Sequence, residues 1–560
     1  MSLPKVAGDL NLPRIAGSIP IACLFIVVTE FAERFAYYGG TAPFQNYVEN
    51  GPKEHHLDYS ESPGALNKGP QTATFVNNLL IFIAYGSPLL GAFISDQYLG
   101  KFKTIAFFSI FYTIGFFLLT FTAIPSSYTD IGVPVYGDFA FSGLILSVVI
   151  IGTATGGIKA LVSPMCADQV PQEDYIVEKN GQQYIVDPDL TIQSIYNWFY
   201  WAINVGALLG QFICTTVEKD SSFWKAFLLP SCMFVVAITI FVSGYKYYIH
   251  VPPEGSVYSK AISCVKYSLE VRKKMTASGE ALTIPKETSF KYLEYAKIET
   301  PERKSKNWTA SFPTELQQAL KACSVFPLMS IYWVAYNQMV GNLISQAGQM
   351  VVPSWLSNDI INIFDPLMLI VFIPIFDFVV YPYLNRNNIE FGYVKRITVG
   401  MVLGGLSMVW AAGTQYYIYK DPAFVSENDD PDGNGVKSTI HVFWQLPAYF
   451  LIAISEIFAS IGSLEYSYTH APKSMKGIVS ALSLLPNCVA ALLGMLMAPL
   501  STDPTYTLVY IITGAGTLIS CVIFWISFKS FDVHDAILKR EQLEAEKDDI
   551  QIIKEKGVQV

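Results

Sequence analysis

Residues 105–122 read IAFFSIFYTIGFFLLTFT, a run without a single charged side chain. A helix rises about 1.5 Å per residue, so a run of this length nearly crosses the roughly 30 Å of hydrocarbon in a bilayer. Comparable runs stand at 227–245 and 505–528. Over the whole chain 52% of residues are hydrophobic, 14% aromatic and only 15% charged. This composition indicates a membrane protein with many spans rather than one anchor.

The apolar runs of the chain predict about twelve transmembrane helices. They fall near 20–47, 74–98, 104–123, 139–166, 191–217, 224–245, 322–345, 360–383, 397–419, 440–468, 476–499 and 505–528. The longest connection follows the sixth span and divides the twelve into two sets of six. We therefore predict an all-α transmembrane protein with two six-helix bundles. The predicted segments are an N-terminus at 1–19, bundles at 20–246 and 322–528, a linker at 247–321 and a tail at 529–560.

The distribution of lysine and arginine predicts the orientation, because cytoplasmic loops are enriched in these residues. With a cytoplasmic N-terminus, the short outer loops near 124–138, 346–358 and 501–504 carry none. The short inner loops then carry Lys101, Lys103, Arg386, Lys395, Arg396, Lys473 and Lys476. The bias is modest, since five lysines elsewhere would lie outside. We predict that both termini are cytoplasmic.

Charge and cysteine content exclude several classes of function. The formal net charge is −9, and part of the acidic excess lies in stretches such as 427–432, so a nucleic-acid partner is not expected. The eight cysteines are scattered, without the paired spacing of a disulfide framework or a zinc site. We predict no metal and no cofactor.

The first span contains a charged motif, EFAERFAYYGG at residues 30–40. Glu30, Glu33 and Arg34 are spaced i, i+3 and i+4, so they share one helix face. A charge at the bilayer centre costs about 2.5–3.5 kcal/mol, and three facing lipid would cost on the order of 8–10 kcal/mol. They are therefore expected to face protein or water.

A cation in the fourth span could balance this face. The formal charges of Glu30, Glu33 and Arg34 sum to −1. The segment GTATGGIKALVSP at 152–164 contributes Lys159, its only charged residue. Two carboxylates, Arg34 and Lys159 sum to zero, an arrangement that protonation of one carboxylate would unbalance and loosen. Such behaviour suits a proton-coupled carrier. The glycines around Lys159 also permit close helix packing.

Several motifs together resemble the proton-coupled oligopeptide transporter family, in particular its fungal branch. EFAERFAYYG resembles the ExxERFxYYG motif, FYWAINVGALLG at 199–210 resembles the fifth-helix signature, and GGIK carries the fourth-helix lysine. Further matches stand at 85–96, 374–382 and 455–472, in the family's order. The resemblance implies the major facilitator fold, with one central site exposed alternately to each side. It also implies symport of di- and tripeptides with protons across the plasma membrane.

The resemblance also implies roles for individual residues. Glu30, Glu33, Arg34 and Lys159 would couple transport to protons, and Glu456 would receive the peptide amino group. Asp96, within GAFISDQYLGKFK at 91–103, would act at a cytoplasmic gate. The peptide-binding residues would be Arg34, Tyr37, Tyr85, Lys159, Tyr200, Asn204, Trp333, Asp365, Glu456 and Ser460.

The sequence departs from the family pattern at three of these regions. Thr41 stands where many members have an arginine, so the peptide carboxylate would rely on Arg34 and Lys159. Asn78 stands where animal members have a proton-linked histidine. Asp365 replaces a common asparagine, and could share the peptide amino group with Glu456 or form a different proton site.

Two other functions compete with peptide symport. The family includes nitrate and hormone carriers, although a carboxylate such as Glu456 would repel an anion and pair with an ammonium. A receptor that binds peptide without concentrating it would be separated by an accumulation assay. An enzyme is not expected, because no nucleophile, base and orienting group stand together at motif spacing.

Overall fold

The computed structural model describes most of the chain, and every structural statement below concerns these residues. They are 14–51, 62–124, 137–171, 173–179, 182–253, 255, 257–279, 282, 284, 289–298, 303, 308–387, 391–426, 436–472 and 475–555. Residues 1–13 and 556–560 of the predicted terminal segments, and parts of the predicted linker, lie outside them.

Within the described residues, twelve long helices form the two halves of the protein, and we number these twelve in chain order; the linker contains a further helix, Val257–Ala277. The N-terminal half contains α1 (Ile21–Thr41), α2 (Gly69–Leu99), α3 (Lys101–Thr122), α4 (Gly137–Ala167), α5 (Pro188–Asp220) and α6 (Phe223–Ser243). The C-terminal half contains α7 (Phe312–Gly348), α8 (Ile360–Leu384), α9 (Tyr393–Lys420), α10 (Val442–Ser467), α11 (Lys476–Leu500) and α12 (Tyr506–Glu555).

Eleven of these helices are long and apolar enough within the described residues to cross a membrane. The exception, α1, has sufficient length but carries Glu30, Glu33 and Arg34. Lipid-facing surface is visible on α12, where Ile519, Val522 and Ile526 are 61%, 58% and 64% exposed. Large aliphatic side chains spaced three and four residues apart on an open helix face indicate contact with lipid rather than water. The chain is a multi-pass membrane protein.

The helix boundaries lie within about six residues of the predicted spans except at the end of α12 and the start of α7. Helix α12 continues to Glu555, past the predicted span end at 528. Helix α7 begins at Phe312, ten residues before the predicted span, because its first part (FPTELQQALKA) is amphipathic rather than uniformly apolar. Its apolar face packs on the 3-10 helix Lys291–Lys297 and belongs to one hydrophobic cluster with helix Val257–Ala277. The linker is therefore partly helical, and it packs on the end of the C-terminal half that is predicted to face the cytoplasm.

Within each half the helices pack closely, and several helix contacts join the halves. In the first half α1 contacts α5 and α6, and α4 contacts α2 and α3. In the second half α9 contacts α10 and α12, and α7 contacts α11. Between the halves α2 packs against α11, and α5 packs against α8. This arrangement leaves space between the halves near their centre, where the candidate site lies.

A small sheet beside the N-terminal ends of α1 and α5 was not predicted. Its strands are β1 (Arg14–Ile15), β2 (Tyr175–Lys179) and β3 (Gln182–Val186), in the order β1-β3-β2. Strands β2 and β3 pair antiparallel, and β1 pairs parallel with β3. Arg14 Nη1 lies 2.9 Å from Asp187 Oδ2, which fixes β1 beside α5. The sequence signal was present, since Asn180-Gly181 between two alternating runs is a typical hairpin sequence.

Candidate functional site

The charged residues of α1 form a buried ion cluster. Arg34 Nε lies 2.9 Å from Glu30 Oε1 and 2.6 Å from Glu33 Oε2. The side chains of Arg34, Glu30 and Glu33 are only 4%, 5% and 1% exposed, so they face protein. Several of these buried atoms, including both Glu33 carboxylate oxygens, lack a well-aligned hydrogen bond. The cluster is therefore held mainly by charge, and a change of charge on one carboxylate would alter it directly.

Close packing of α5 fixes the position of this cluster. In FYWAINVGALLG, Gly206 and Gly210 are four residues apart and face α1. A Cβ on Gly206 would lie 2.5 Å from the carbonyl oxygen of Phe31 and 3.2 Å from Arg34 Cβ. A Cβ on Gly210 would overlap the carbonyl oxygen of Phe35. The motif thus lets two membrane helices approach backbone to backbone, as small-residue pairs commonly do in membranes.

A cavity of ≈ 210 Å³ lies between the two halves. Its wall includes residues from α1, α2 and α5 on one side and from α7, α8, α10 and α11 on the other. Seven of the ten residues predicted to bind peptide line it: Tyr37, Tyr85, Tyr200, Asn204, Trp333, Asp365 and Glu456. Most of the side chains that the sequence predicted to bind peptide therefore surround one cavity.

The two predicted cations stand behind the aromatic wall of this cavity. Arg34 Cζ is 6.0 Å from the centre of the Tyr37 ring, and Lys159 Nζ is 3.9 Å from the centre of the Tyr85 ring. Both rings line the cavity, whereas Arg34 and Lys159 do not. Among the described ion pairs none joins Lys159 to Glu30 or Glu33, so its part in the charge balance stays a prediction.

The other two predicted residues lie away from the cavity wall. Ser460 was expected on the same face as Glu456, but a π-helical turn, Ile457–Ile461, follows Glu456. Because a π-helix bonds i to i+5, residues four apart no longer stack, and Ser460 does not line the cavity. Asp96 lies in another π-helical turn, Ser95–Leu99, and its carbonyl accepts the N–H of Gly255 in the linker at 3.1 Å. It therefore stands at the C-terminal end of α2, beside the linker.

Several cavity residues were missed by the sequence reasoning. They are Tyr38, Asn77, Gln211, Tyr336, Asn337, Asn362 and Asn487. Helical periodicity could have found some of them. Tyr336 and Asn337 follow Trp333 by three and four residues, and Asn77 precedes Tyr85 by two helical turns. Asn337 Nδ2 also donates to Asn487 Oδ1 at 2.9 Å, which orders part of the C-terminal wall.

A polar network joins the halves beyond the cavity, toward the C-terminal end of α1. We call the residues Asn46, Glu218 and Asn358 the outer latch. Asn46 Nδ2 donates to Glu218 Oε1 at 3.0 Å and to Asn358 Oδ1 at 2.9 Å, and Asn358 Nδ2 donates back to Asn46 Oδ1 at 2.8 Å. All three residues are buried. The latch closes this end of the space between the halves.

Further hydrogen bonds across the halves surround the outer latch. They are Gln45 to Ser345 (2.9 Å), Thr74 to Asn342 (3.0 Å) and Gln71 to the carbonyl of Pro499 (3.0 Å). Lys219 Nζ donates to the carbonyls of Ser354 and Leu356. These contacts involve the same ends of α2, α5, α7 and α11. The cavity is therefore sealed on the side predicted to be extracellular.

Within the described residues, no group of three or more His, Cys, Asp or Glu side chains could hold a metal ion.

Comparisons with known proteins relate this site to a transporter family. Residues 102–530 match the PTR2 profile, which describes the POT family. The chain is 39% identical over 548 residues to "Probable peptide transporter ptr2" of Schizosaccharomyces pombe, covering 96% of this chain and 82% of that protein. It is 35% identical over 525 residues to "Peptide transporter PTR2" of Saccharomyces cerevisiae, covering 93% and 81% respectively.

Solved structures show the same architecture. One, the POT family transporter PepTSo, superposes with a TM-score of 0.69 at 22% identity, covering 92% of this chain and 99% of its own. An auto-inhibited POT family peptide transporter superposes with a TM-score of 0.67 at 20% identity, covering 90% and 96%. At these identities the likeness concerns the fold, and it confirms the predicted architecture of two six-helix bundles.

Proposed function

Because this chain belongs to the POT family, we propose that it carries di- and tripeptides together with protons by alternating access. The family membership confirms the resemblance drawn from the motifs. Both relatives quoted above are named peptide transporters. Their names support a peptide as the substrate, and a carrier rather than an enzyme as the class of protein.

The observation that carries the proposal is the separation of charge across the cavity. Asp365 and Glu456 line it from the C-terminal half. Arg34 and Lys159 lie behind Tyr37 and Tyr85 in the N-terminal half. A peptide is a zwitterion, so its ammonium would be attracted to one half and its carboxylate to the other. Binding would then draw the halves together.

Polar and aromatic groups suit the rest of a peptide. Asn204, Asn337 and Asn487 carry amides that can bond a peptide backbone in several registers. Tyr37, Tyr85, Tyr200, Trp333 and Tyr336 supply large, rigid faces that accept varied side chains. An anion carrier is disfavoured, because the charged groups of the described lining are carboxylates.

The ion cluster of α1 is the proposed site of proton coupling. Glu30 and Glu33 both pair with Arg34, so protonation of either carboxylate would weaken the electrostatic attraction that holds the guanidinium in place. Gly206 packs directly against this turn of α1, so a rearrangement of the cluster would change the packing of α1 on α5. Movement of α1 and α5 relative to the other half would change access to the cavity.

The proposal includes a plasma-membrane location with both termini in the cytoplasm. Its support is that the connections between α2 and α3 and between α8 and α9 carry Lys101, Lys103, Lys395 and Arg396 near their helix ends. Protease protection of tags placed at each terminus in sealed cells tests the orientation. Digestion from outside would contradict it.

A thermodynamic cycle tests the polarity of binding. Glu456→Gln is expected to weaken dipeptide binding about tenfold or more, because a charge-assisted bond is lost. N-acetylation of the peptide should do the same in the parent protein. In Glu456→Gln, acetylation should then cost much less, since the interaction it removes is already gone.

Binding and uptake are measured with labelled Ala-Ala and N-acetyl-Ala-Ala in vesicles with an imposed pH gradient. If the two losses simply add, Glu456 does not hold the amino group. If the pH gradient drives no accumulation, symport is refuted, and bound but unconcentrated peptide would indicate a receptor.

A further inference from the structure

Two carboxylates share one end of the cavity with no basic side chain beside them in the lining. Of the described residues that line the cavity, the charged ones are Asp365 on α8 and Glu456 on α10, and these helices pack together. The hydroxyl of Tyr336 lies beside both groups and donates to Asp365 Oδ2 at 3.2 Å. The acidic charge is thus concentrated in one half of the site.

At this acidic end, one oxygen of each carboxylate lacks a hydrogen-bond donor among the described residues. The Asp365 side chain is only 5% exposed, yet its Oδ1 has no hydrogen-bond partner. Glu456 Oε2 is likewise buried without a partner. A buried carboxylate oxygen without a donor is costly, so this end of the cavity favours a ligand that brings donors and positive charge. A peptide with an uncharged first side chain brings one ammonium group for two carboxylates.

Aromatic rings enclose the same end. Trp333 and Tyr336 meet edge to face with their ring centres 4.9 Å apart, and both line the cavity with Tyr38 and Tyr200. The faces of such rings attract ammonium and guanidinium groups. Carboxylates together with aromatic faces form a good environment for a second organic cation, and the uncharged ring surface accommodates the aliphatic stem of a lysine or arginine.

We propose that Asp365 makes the cavity selective for peptides whose first residue has a basic side chain. This inference rests on the proposed function, in which Glu456 receives the peptide amino group. The side chain of the first residue leaves the same carbon as that amino group, so it lies on the side of the cavity where Asp365 stands. Each carboxylate then pairs with one cation. The side chain of the second residue points away from this pair.

The test compares ligands and variants that differ by one charge. Uptake by the full-length protein in vesicles is measured for Lys-Ala against norleucine-Ala, and for Ala-Lys against Ala-norleucine. The parent is expected to prefer Lys-Ala over norleucine-Ala by about tenfold, the value of one charged hydrogen bond. Asp365→Asn should remove that preference, and Asp365→Glu should retain much of it. Asp421→Asn, a matched loss of charge in an outer loop, should leave the ratio unchanged.

The outcomes separate this inference from the proposed function. Accumulation of both dipeptides with an unchanged ratio in Asp365→Asn refutes the inference alone. If Asp365→Asn lowers the ratio of Ala-Lys to Ala-norleucine uptake as much as it lowers the ratio of Lys-Ala to norleucine-Ala uptake, the assignment to the first residue is refuted. If Asp365→Asn shifts the pH dependence of uptake for every peptide and leaves the ratio of Lys-Ala to norleucine-Ala uptake unaltered, Asp365 is a proton site. That result also overturns the inference. If Asp365→Asn no longer transports, ligand-induced thermal stabilisation of the purified protein supplies the same ratio. No accumulation by the parent would refute the proposed function itself.

Discussion

The outer latch offers a direct test of how the outer end of the cavity is held closed. Asn46→Ala removes the two hydrogen bonds that join Asn46 to Asn358 across the halves, and one to the carboxylate of Glu218 within the N-terminal half. The latch links α5 and the segment after α1 in the N-terminal half to the segment before α8 in the C-terminal half. Its loss should therefore favour opening at this end.

The contacts set the size of the effect. Of the bonds in the outer latch, only the two amide bonds between Asn46 and Asn358 cross the halves, and each contributes about 0.75 kcal/mol. Their sum, about 1.5 kcal/mol, would shift the equilibrium between the closed and open forms of this end roughly 12-fold. A closed form populated about tenfold over the open one would then be populated about equally with it.

Distances between spin labels on opposite halves measure this change. Phe121 on α3 and Tyr417 on α9 are 62% and 63% exposed near the C-terminal ends of these helices, so labels there should not disturb packing. Each is replaced by Cys in a protein whose Cys232 and Cys488 are replaced by Ser. Asn46→Ala should raise the population at longer distances, whereas Gln71→Ala, which removes one exposed bond across the halves, should change the distribution little. An unchanged distribution in a folded, stable Asn46→Ala variant would show that the latch does not hold the outer end.

Two other predictions concern α1. Glu30→Gln and Glu33→Gln should each abolish accumulation driven by a pH gradient while leaving peptide exchange, because an amide cannot carry a proton through the cycle; undiminished accumulation in both would remove the ion cluster from coupling. Gly210→Ala should destabilise the protein by about 1–3 kcal/mol, since the added Cβ would overlap the carbonyl oxygen of Phe35. Thermal unfolding in detergent measures this against Gly413→Ala, whose added Cβ meets nothing within 4 Å, and equal melting temperatures would contradict the packing argument.

The sequence alone determined the class of protein, the number and approximate extent of its helices, and the residues of the ion cluster. These properties are local. An uninterrupted apolar run specifies a helix in lipid because no other local structure satisfies the backbone there. Spacing within one helix places Glu30, Glu33 and Arg34 on one face. The motif series also identified seven residues of the cavity wall, although neighbours one or two helical turns away, such as Tyr336 and Asn77, were missed.

Only the tertiary structure decided which residues from distant segments meet. Asn46 and Asn358 are 312 positions apart, and neither stands in a pattern that indicates its partner. The pairing of Asp365 with Tyr336 depends on the angle at which α7 and α8 pack. The displacement of Ser460 depends on one π-helical turn, which propensities do not specify. Such contacts arise from how whole helices pack against one another, and packing depends on the combined shape of many side chains, which no local pattern of residues records.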